Sequence, residues 1–260
     1  MDSFLKYREI FYSDENTIPE TKFDIVIPVG PNDIDLTSKV IDCIKHNIFE
    51  HRNIYVISYD PNISLSNCII INENIFPFNI KTLGEYTNHS PRTGWYLQQL
   101  LKLYAGFYIP GILSNYLVID SDTFFINPTY FFEDGLPLYN IGKQFHKPYF
   151  DHMEKLHPSL KKQNDFSGIC HHMLFQRNII LDLFELVEKY TGDVFWRSFM
   201  KYLDPENINA AGASEYEIYF NFLLIYHSDK MKIRELKWLD VFQLCYHPEL
   251  NYISWHHYKR

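Results

Sequence analysis

The sequence predicts an α/β fold in which a mostly parallel central sheet carries helices on both faces. Two observations lead to this prediction. Short apolar runs alternate with helical patterns in the first half of the chain, in the order strand, helix, strand, strand, helix, strand, with short loops between them; this order is typical of parallel sheets. The last of these strands ends in two carboxylates, Asp120 and Asp122, and open α/β sheets bind ligands at the carboxyl ends of their strands.

The strands and helices of the first half follow from local patterns. Apolar residues predict strands at 23–28, 53–58, 68–71 and 116–120. Asp33 or Asp35 is placed to cap a helix whose buried face is apolar at four positions with helical spacing: Leu36, Val40, Ile41 and Ile44. Thr93 is placed to cap a second helix, from Gly94 to about Tyr108.

The second half is predicted to be mixed. We expect a strand from Gly168 to Phe175, and helices at 178–190, 194–202 and 214–226. Ser214 and Glu217 have the spacing of a capping box, which gives Glu217 a structural role. Short strands are expected near 232–236 and 252–255. Because the chain has no internal repeat or low-complexity linker, we predict one domain over 1–260 with two functional halves, about 20–128 and 129–260.

Composition excludes several classes of function. Hydrophobic residues make up 46% and charged residues 22% of the chain, an ordinary globular balance. The net charge of −8, without a long Lys/Arg run, argues against a nucleic-acid partner. Four scattered cysteines argue against a zinc ribbon or a disulfide scaffold and fit a reducing compartment.

The expected location is cytoplasmic. Residues 1–20 are polar, are predicted to be a lead-in arm and contain no apolar signal core. No apolar run approaches the roughly 20 residues that cross a bilayer, so we expect a soluble protein. Frequent Asn, Ile, Lys and Tyr suggest an AT-rich genome, either that of a large virus whose protein acts in the host cytoplasm or that of an AT-rich microbe. The sequence leaves the oligomeric state open.

Asp120 and Asp122 are the strongest candidates for chemistry. Two hard oxygen donors at the end of a strand suit Mg²⁺ or Mn²⁺ held together with a diphosphate. The alternative is an ordinary turn, in which Asp-Ser-Asp is common. A phosphatase of the haloacid-dehalogenase type would require Thr or Val at the fifth position, where this chain has Phe124, and would carry its motif near the start of the fold. We therefore favour a cation site.

Four other groups of residues could serve a site, each with a structural alternative. Arg92, Gln98 and Lys102 lie at the start and on one face of a predicted helix, where they could bind a diphosphate or form a solvated stripe. The neighbouring His171 and His172 would point to opposite faces of a strand, so at most one would face a given site. Glu215 is a candidate general base, or an ordinary acidic residue in the first turn of a helix. The last candidate is the tail, which could supply a metal ligand or be a frayed end. It contains His256, His257, Lys259 and Arg260.

Several segments together carry a family resemblance. The chain resembles GT-A-fold, nucleotide-sugar-dependent glycosyltransferases, and it is most similar to a poorly characterised family with a recurrent order of motifs. Those motifs are an Ile-Pro-Val strand, an Arg-x-Gly-Trp-Tyr-x-Gln-Gln helix, an Asp-Ser-Asp-Thr strand and a Glu-Tyr-x-x-Tyr helix. The matching segments here are Phe23–Gly30, Arg92–Lys102, Tyr116–Asn127, Ser167–Phe175 and Ser214–Tyr219.

The resemblance implies a GT-A fold and a role for each candidate. Asp122 would ligate Mn²⁺ or Mg²⁺ on the donor diphosphate, and Asp120 would contact the ribose, or the metal through water. His256 or His257 would be a further metal ligand, and Glu215 stands where inverting members carry their base. The remaining donor-site positions implied are Pro28, Val29, Gly30, Asp33, Arg92, Gln98, Lys102, Ser121 and Lys259.

The resemblance also implies the substrates: a nucleotide-sugar donor, with a UDP-sugar favoured, and a glycan or other hydroxyl acceptor. The stereochemistry of transfer stays open. A nucleotidyltransferase is the first alternative, although the loop after the first strand has one Gly and no cation. The second alternative is a non-catalytic module that binds nucleotides or carbohydrates.

Overall fold

The computed structural model describes residues 21–259, except the side chain of His257. The predicted arm at 1–20 and the terminal Arg260 lie outside the described residues. Within that range the strands are β1 (Phe23–Val29), β2 (His51–Ser58), β3 (Ile69–Asn72), β4 (Asn115–Ile119), β5 (Thr123–Phe125), β6 (Phe132–Glu133), β7 (Leu136–Asn140), β8 (His172–Gln176), β9 (Lys232–Arg234), β10 (Trp238–Asp240) and β11 (Tyr252–Ser254).

Seven α-helices lie between these strands in the described residues. They are α1 (Ile34–Asn47), α2 (Ile80–Thr87), α3 (Thr93–Tyr108), α4 (Lys147–Leu156), α5 (Arg177–Thr191), α6 (Phe195–Lys201) and α7 (Glu215–Tyr226). Short 3₁₀ turns occur at Glu73–Ile75, Ser228–Lys230 and His257–Lys259. Between residues 21 and 259, none of these helices has both the length and the apolar character needed to cross a membrane.

The central sheet confirms the predicted α/β class. Its strand order is β3-β2-β1-β4-β8. Strands β1 to β4 pair in parallel, and only β8, at the edge, runs antiparallel to its neighbour β4. All seven residues of β1 are buried, which is why the strand reads as an almost continuous apolar run rather than an alternating one.

Helices cover both faces of this sheet, as predicted. Alternate residues of a strand point to opposite faces. Ile25 of β1 packs in an apolar cluster that contains Ile41 and Ile44 of α1. Its neighbour Val26 packs in a second cluster, which contains Leu100 of α3. The sheet therefore separates two cores.

A second, three-stranded sheet has the order β10-β11-β5 and positions the site. Strand β5 begins immediately after Asp122, and Thr123 pairs with Ser254 of β11, with their hydroxyl oxygens 2.9 Å apart. Ser254 in turn pairs with Asp240, the last residue of β10. The register of one small sheet thus sets the spacing of Asp122, Asp240 and the segment that leads to His256. A third sheet has the order β6-β7-β9.

Most predicted elements are present, but the strand expected from Gly168 is shorter. It begins at His172, because His171 has φ 60°, a left-handed conformation that interrupts an extended strand. Helices α2 and α4 and the short strands β5, β6, β7 and β10 were not predicted.

Three expected helix caps differ from the prediction. Asp33 holds the N-cap position of α1, but its carboxylate makes no cap hydrogen bond and accepts one from Ser121 Oγ at 2.7 Å. Thr93 is the first helical residue of α3, after the N-cap Arg92. The capping box at α7 is half-formed: Ser214 accepts from the Glu217 amide, whereas the Glu217 carboxylate accepts from the Ser167 hydroxyl.

Candidate functional site

A cavity of about 340 Å³ lies where β1 and β4 end. Asp33 follows β1, and Asp120 directly follows β4, so the predicted edge of the sheet forms one wall. The structure brings together ten residues that the sequence nominated. They are Asp33, Arg92, Gln98, Lys102, Asp120, Ser121, Asp122, His171, Glu215 and His256.

Other nominated residues do not line this cavity. Pro28 and Val29 are buried in β1, and Gly30 is exposed beyond the strand. Lys259 lies next to the cavity: its ammonium is 3.2 Å from Oδ2 of Asp240, which does line it. The side chain of His257 is outside the described part of the chain. The donor-binding roles of all nominated residues remain predictions.

A buried lysine links two of the predicted carboxylates. Lys102, on α3, has a side chain that is 4% exposed. Its Nζ donates to Oδ1 of Asp120 at 2.6 Å and to Oε1 of Glu215 at 2.7 Å. The Tyr216 hydroxyl also donates to Oδ1 of Asp120, at 2.9 Å. Helices α3 and α7 therefore hold Asp120 by two donors from the protein itself.

The charges of this cluster shift the pKa of each member. Burial alone would lower the pKa of Lys102, but Asp120 and Glu215 outweigh it and raise that pKa. Burial opposes ionisation of Asp120, yet Lys102 and His171 hold its pKa well below the usual range. Burial raises the pKa of Glu215, and Lys102 offsets the rise only in part.

Two imidazoles meet beside the Asp-Ser-Asp turn. Pairing of Ile119 with His172 places His171 next to Asp120, whose amide donates to the His171 carbonyl at 2.9 Å. The rings of His171 and His256 lie 4.8 Å apart between centroids. His172 points the other way, into the core, against Phe125. One member of the pair faces the site, which agrees with the expectation that at most one would. The expected reason does not apply, because His171 lies before β8 and not on it.

Each imidazole has a carboxylate at both nitrogens. Nδ1 of His256 lies 2.8 Å from Oδ2 of Asp122, and Nδ1 of His171 lies 3.4 Å from Oδ2 of Asp120. The two Nε2 atoms lie 3.3 Å and 3.4 Å from the same atom, Oδ1 of Asp240. Three acidic residues and two imidazoles thus occupy one corner of the cavity.

These contacts favour the charged forms. Burial lowers the pKa of an imidazole, but Asp122 and Asp240 outweigh it and raise the pKa of His256 to about 10. The pKa of His171 is also raised, because Asp120 and Asp240 outweigh its burial. Burial opposes ionisation of Asp240, but both imidazoles hold its pKa well below the usual range.

The same corner fits a divalent cation. One ligand atom each from His171, Asp240 and His256 lie within 4.8 Å of one another. Nε2 of His171 and Oδ1 of Asp240 are buried and make no hydrogen bond with any described residue. Their contacts at 3.3–3.4 Å are ion-pair contacts without hydrogen-bond geometry. Buried polar atoms without hydrogen bonds are unfavourable, and a cation would satisfy them. Imidazole nitrogen together with carboxylate oxygen suits a transition-metal ion such as Mn²⁺.

Comparison with known proteins gives a family. A family model described as "Family of unknown function (DUF6492)" matches residues 35–240. The chain belongs to the DUF6492 family. The matched range includes Lys102, His171 and Asp240, and it ends before His256. No curated protein sequence matches the chain.

Among solved structures, this DUF6492 protein is similar to the crystal structure of mouse xyloside xylosyltransferase 1 in its apo form. The identity is 8% and the TM-score is 0.46. The similarity covers 92% of this chain and 99% of the mouse protein.

Several lining residues of the DUF6492 protein were not nominated from sequence. Asp120 was nominated because it follows a long apolar run. Asp240 follows only two residues of β10, which is too short a run to single it out. Trp95 and Tyr149 also line the cavity, with ring centroids 6.4 Å apart. The Arg92 guanidinium lies 5.1 Å from the Trp95 ring, and its Nε donates to the Ala210 carbonyl at 2.8 Å. The high aromatic content of the sequence was the one available hint of these stacking surfaces.

Proposed function

We propose that this protein is a glycosyltransferase that moves a sugar from a nucleoside-diphosphate sugar to an acceptor hydroxyl, with Mn²⁺ or Mg²⁺ bound. A UDP-sugar is the favoured donor. The observation that carries the proposal is the composition of the cavity: carboxylates and imidazoles that fit a cation, beside Arg92 and Lys102 and two aromatic rings. Its volume of about 340 Å³ is at the lower end of the roughly 300–1,000 Å³ found for ligand pockets.

Donor binding is assigned to the edge of the sheet. The hydrogen bond from Ser121 to Asp33 joins the loop after β1 to the Asp-Ser-Asp turn, and this wall would hold the nucleoside. Arg92 is exposed at the start of α3, where its charge and the helix amides would attract the diphosphate. Trp95 and Tyr149 offer flat faces against which a sugar or base would pack.

Charge neutralisation is divided between the cation and the protein. His171, Asp240 and His256, with Asp122 beside them, surround the place that would hold the cation, which would supply charge neutralisation for the leaving diphosphate. Lys102 has a different task. Its contacts with Asp120 and Glu215 hold both carboxylates in position at the cavity wall.

Glu215 is our candidate for the proton acceptor. In the reaction, the bond from the acceptor oxygen to the anomeric carbon forms, while the bond from that carbon to the diphosphate oxygen breaks and its electron pair leaves with the diphosphate. The acceptor hydroxyl proton passes to the Glu215 carboxylate. Burial raises the pKa of Glu215 towards the range useful for a general base. Direct attack of this kind would invert the anomeric configuration.

The test is release of nucleoside diphosphate from a panel of nucleotide sugars with Mn²⁺. The protein should release it with at least one donor, and Asp122→Ala should abolish release while keeping the wild-type melting temperature. Asp229→Ala is the matched control, because Asp229 is exposed on a 3₁₀ turn and does not line the cavity.

Other outcomes would contradict the proposal. Full activity in Asp122→Ala would remove the Asp-Ser-Asp turn from the reaction. Pyrophosphate release from a nucleoside triphosphate would indicate a nucleotidyltransferase. Tight nucleotide binding without turnover of any donor would indicate a binding module.

A further inference from the structure

We propose that His171, Asp240 and His256 bind the divalent cation directly. Asp120 and Asp122 do not bind it in this arrangement but orient the two imidazoles. The proposal deepens the proposed function, since the cation is the one assigned to sugar transfer. It also changes the part played by the Asp-Ser-Asp turn, which the sequence presents as the source of the metal ligands.

The first argument is the way the two imidazoles are held. Nδ1 of His256 faces Asp122 at 2.8 Å, and Nδ1 of His171 faces Asp120 at 3.4 Å. Metal-binding histidines usually donate their other ring N–H to a carboxylate or carbonyl, which fixes the tautomer and the ring orientation. With its proton on Nδ1, each imidazole can present the lone pair of Nε2 to a cation, and binding would release the second proton that the charged ring carries there.

The second argument is convergence on one point. Both Nε2 atoms approach Oδ1 of Asp240, at 3.3 Å from His256 and 3.4 Å from His171. Nε2 of His171 and Oδ1 of Asp240 are nevertheless buried without a hydrogen bond to the described residues. The other oxygen of Asp240 faces the ammonium of Lys259 at 3.2 Å. Oδ1 is therefore the oxygen turned towards the imidazoles.

The third argument concerns Asp120. Its Oδ1 accepts hydrogen bonds from the Lys102 ammonium at 2.6 Å and from the Tyr216 hydroxyl at 2.9 Å. A divalent cation bound to Asp120 would lie close to the positive charge of Lys102, which has a nearly fully buried side chain. Coulomb repulsion at such short range in a poorly solvated place disfavours that arrangement. Asp120 is better suited to orient His171.

The three ligands stand on well-supported backbone. Asp240 ends β10, and His256 follows Trp255, whose amide donates to the Asp122 carbonyl at 2.9 Å. The His171 ring packs edge-on against Trp238, with centroids 5.0 Å apart. A site built in this way holds its ligands close to the binding geometry before the cation arrives.

The donor set predicts which cation binds. Two imidazole nitrogens and one carboxylate oxygen favour Mn²⁺, Co²⁺ or Zn²⁺ over Mg²⁺, which prefers oxygen ligands and retains its waters. Mn²⁺ should therefore bind more tightly than Mg²⁺ to the protein without any sugar or nucleotide.

Cation binding to the full chain tests the proposal without any turnover. Mn²⁺ alone is titrated and the free ion is measured by electron paramagnetic resonance. Loss of an orienting carboxylate typically weakens binding by about 10–100-fold, which is the effect expected for Asp122→Asn. His171→Ala and Asp240→Asn should each weaken binding by more than about 100-fold. His46→Ala, an exposed histidine on α1, should bind as the wild type does.

Pulsed electron paramagnetic resonance of the wild-type protein with Mn²⁺ gives a second readout that needs no variant. Two directly coordinated imidazole nitrogens are expected. A single nitrogen, unchanged binding in His171→Ala, or the absence of Mn²⁺ binding would each overturn the proposal. If sugar transfer persists in the presence of a chelator, the cation-site proposal is wrong but the glycosyltransferase function is kept. If Mn²⁺ binds but no sugar is transferred to any acceptor, the result contradicts only the proposed function.

Discussion

Nζ of the buried Lys102 pairs with Oδ1 of the partly exposed Asp120 at 2.6 Å, and the same Nζ forms a buried ion pair with Glu215 at 2.7 Å. Two helices and the end of β4 thus meet at one ammonium group. Removing one partner from a buried ion pair costs about 3–5 kcal/mol, because a charge is left buried and uncompensated. The pair therefore affects the stability of the protein as well as the geometry of its site.

We predict that Lys102→Met lowers the free energy of unfolding by about 3–5 kcal/mol, since it leaves the buried Glu215 and the partly buried Asp120 without their shared cation. Denaturant unfolding measures the change. Lys147→Met is the matched control: Lys147 forms an exposed pair with Asp151, and such pairs contribute about 0–1 kcal/mol. Equal effects of the two substitutions would refute the structural role of Lys102.

Glu215→Gln should reduce sugar transfer by about 10²–10⁴-fold, the usual contribution of a general base. The substitution keeps the shape of the side chain, so donor binding should change little. The measurement is kcat and KM with a donor found in the screen of nucleotide sugars. An unchanged kcat would exclude Glu215 as the proton acceptor, and a rise in KM alone would assign it to substrate binding.

The protein should lose stability as pH falls from 6.5 to about 4, partly because of His152. Burial lowers the pKa of this core histidine from 6.5 to about 4. The unfolded chain then takes up the proton first, so the stabilisation is complete above pH 6.5 and is lost as pH falls through this window. One residue contributes up to about 3 kcal/mol in this way.

The His152 prediction is checked by comparing pH profiles of unfolding for the wild type and His152→Gln. The variant should show a shallower fall between pH 6.5 and 4, whatever its stability at pH 7. Carboxylates with raised pKa values, such as Glu217, are present in both proteins and cancel in the difference. Parallel profiles would mean that His152 does not titrate as described.

Gly142→Ala should destabilise the protein by about 1–3 kcal/mol, as overpacking in a core does. A Cβ at this position would lie 2.6 Å from the Ile169 carbonyl oxygen, and backbone cannot move aside as a flexible side chain can. Gly94→Ala is the matched control, because nothing lies within 4 Å of its Cβ position in α3. That variant should be neutral or more stable, by up to roughly 1 kcal/mol. A thermal melt of both variants distinguishes the two cases.

The fold was largely predictable because its main signals are local. Strands β1 and β4 lie between two apolar cores, so each is an apolar run that can be recognised without knowledge of its neighbours. Helix α1 presents its apolar residues at helical spacing. Helix α2 has eight residues and strand β10 has three, too few for a periodic pattern to stand out from the loops around them.

The site was predictable in part, for a different reason. Asp120 and Asp122 are adjacent to a strong strand signal, and His256 was nominated with them. Asp240 joins them only through the pairing of β10 and β5 with β11, a long-range register that the local sequence does not reveal. His171 reaches the site from a left-handed backbone position at the start of β8. Neither feature has a signature in the residues around it.

The three residues assigned to the cation come from two separate sheets. Asp240 ends β10 of the small sheet and His256 lies two residues after its strand β11, whereas His171 precedes β8 at the edge of the central sheet. The two sheets are already joined by the Asp-Ser-Asp turn between β4 and β5 and by a hydrogen bond from the Tyr252 hydroxyl to the Cys170 carbonyl at 2.9 Å. A bound cation would add one more cross-link between them. Relative motion of the two sheets should then decrease. Slower amide hydrogen exchange in β10 and β11 would indicate that the cation is bound.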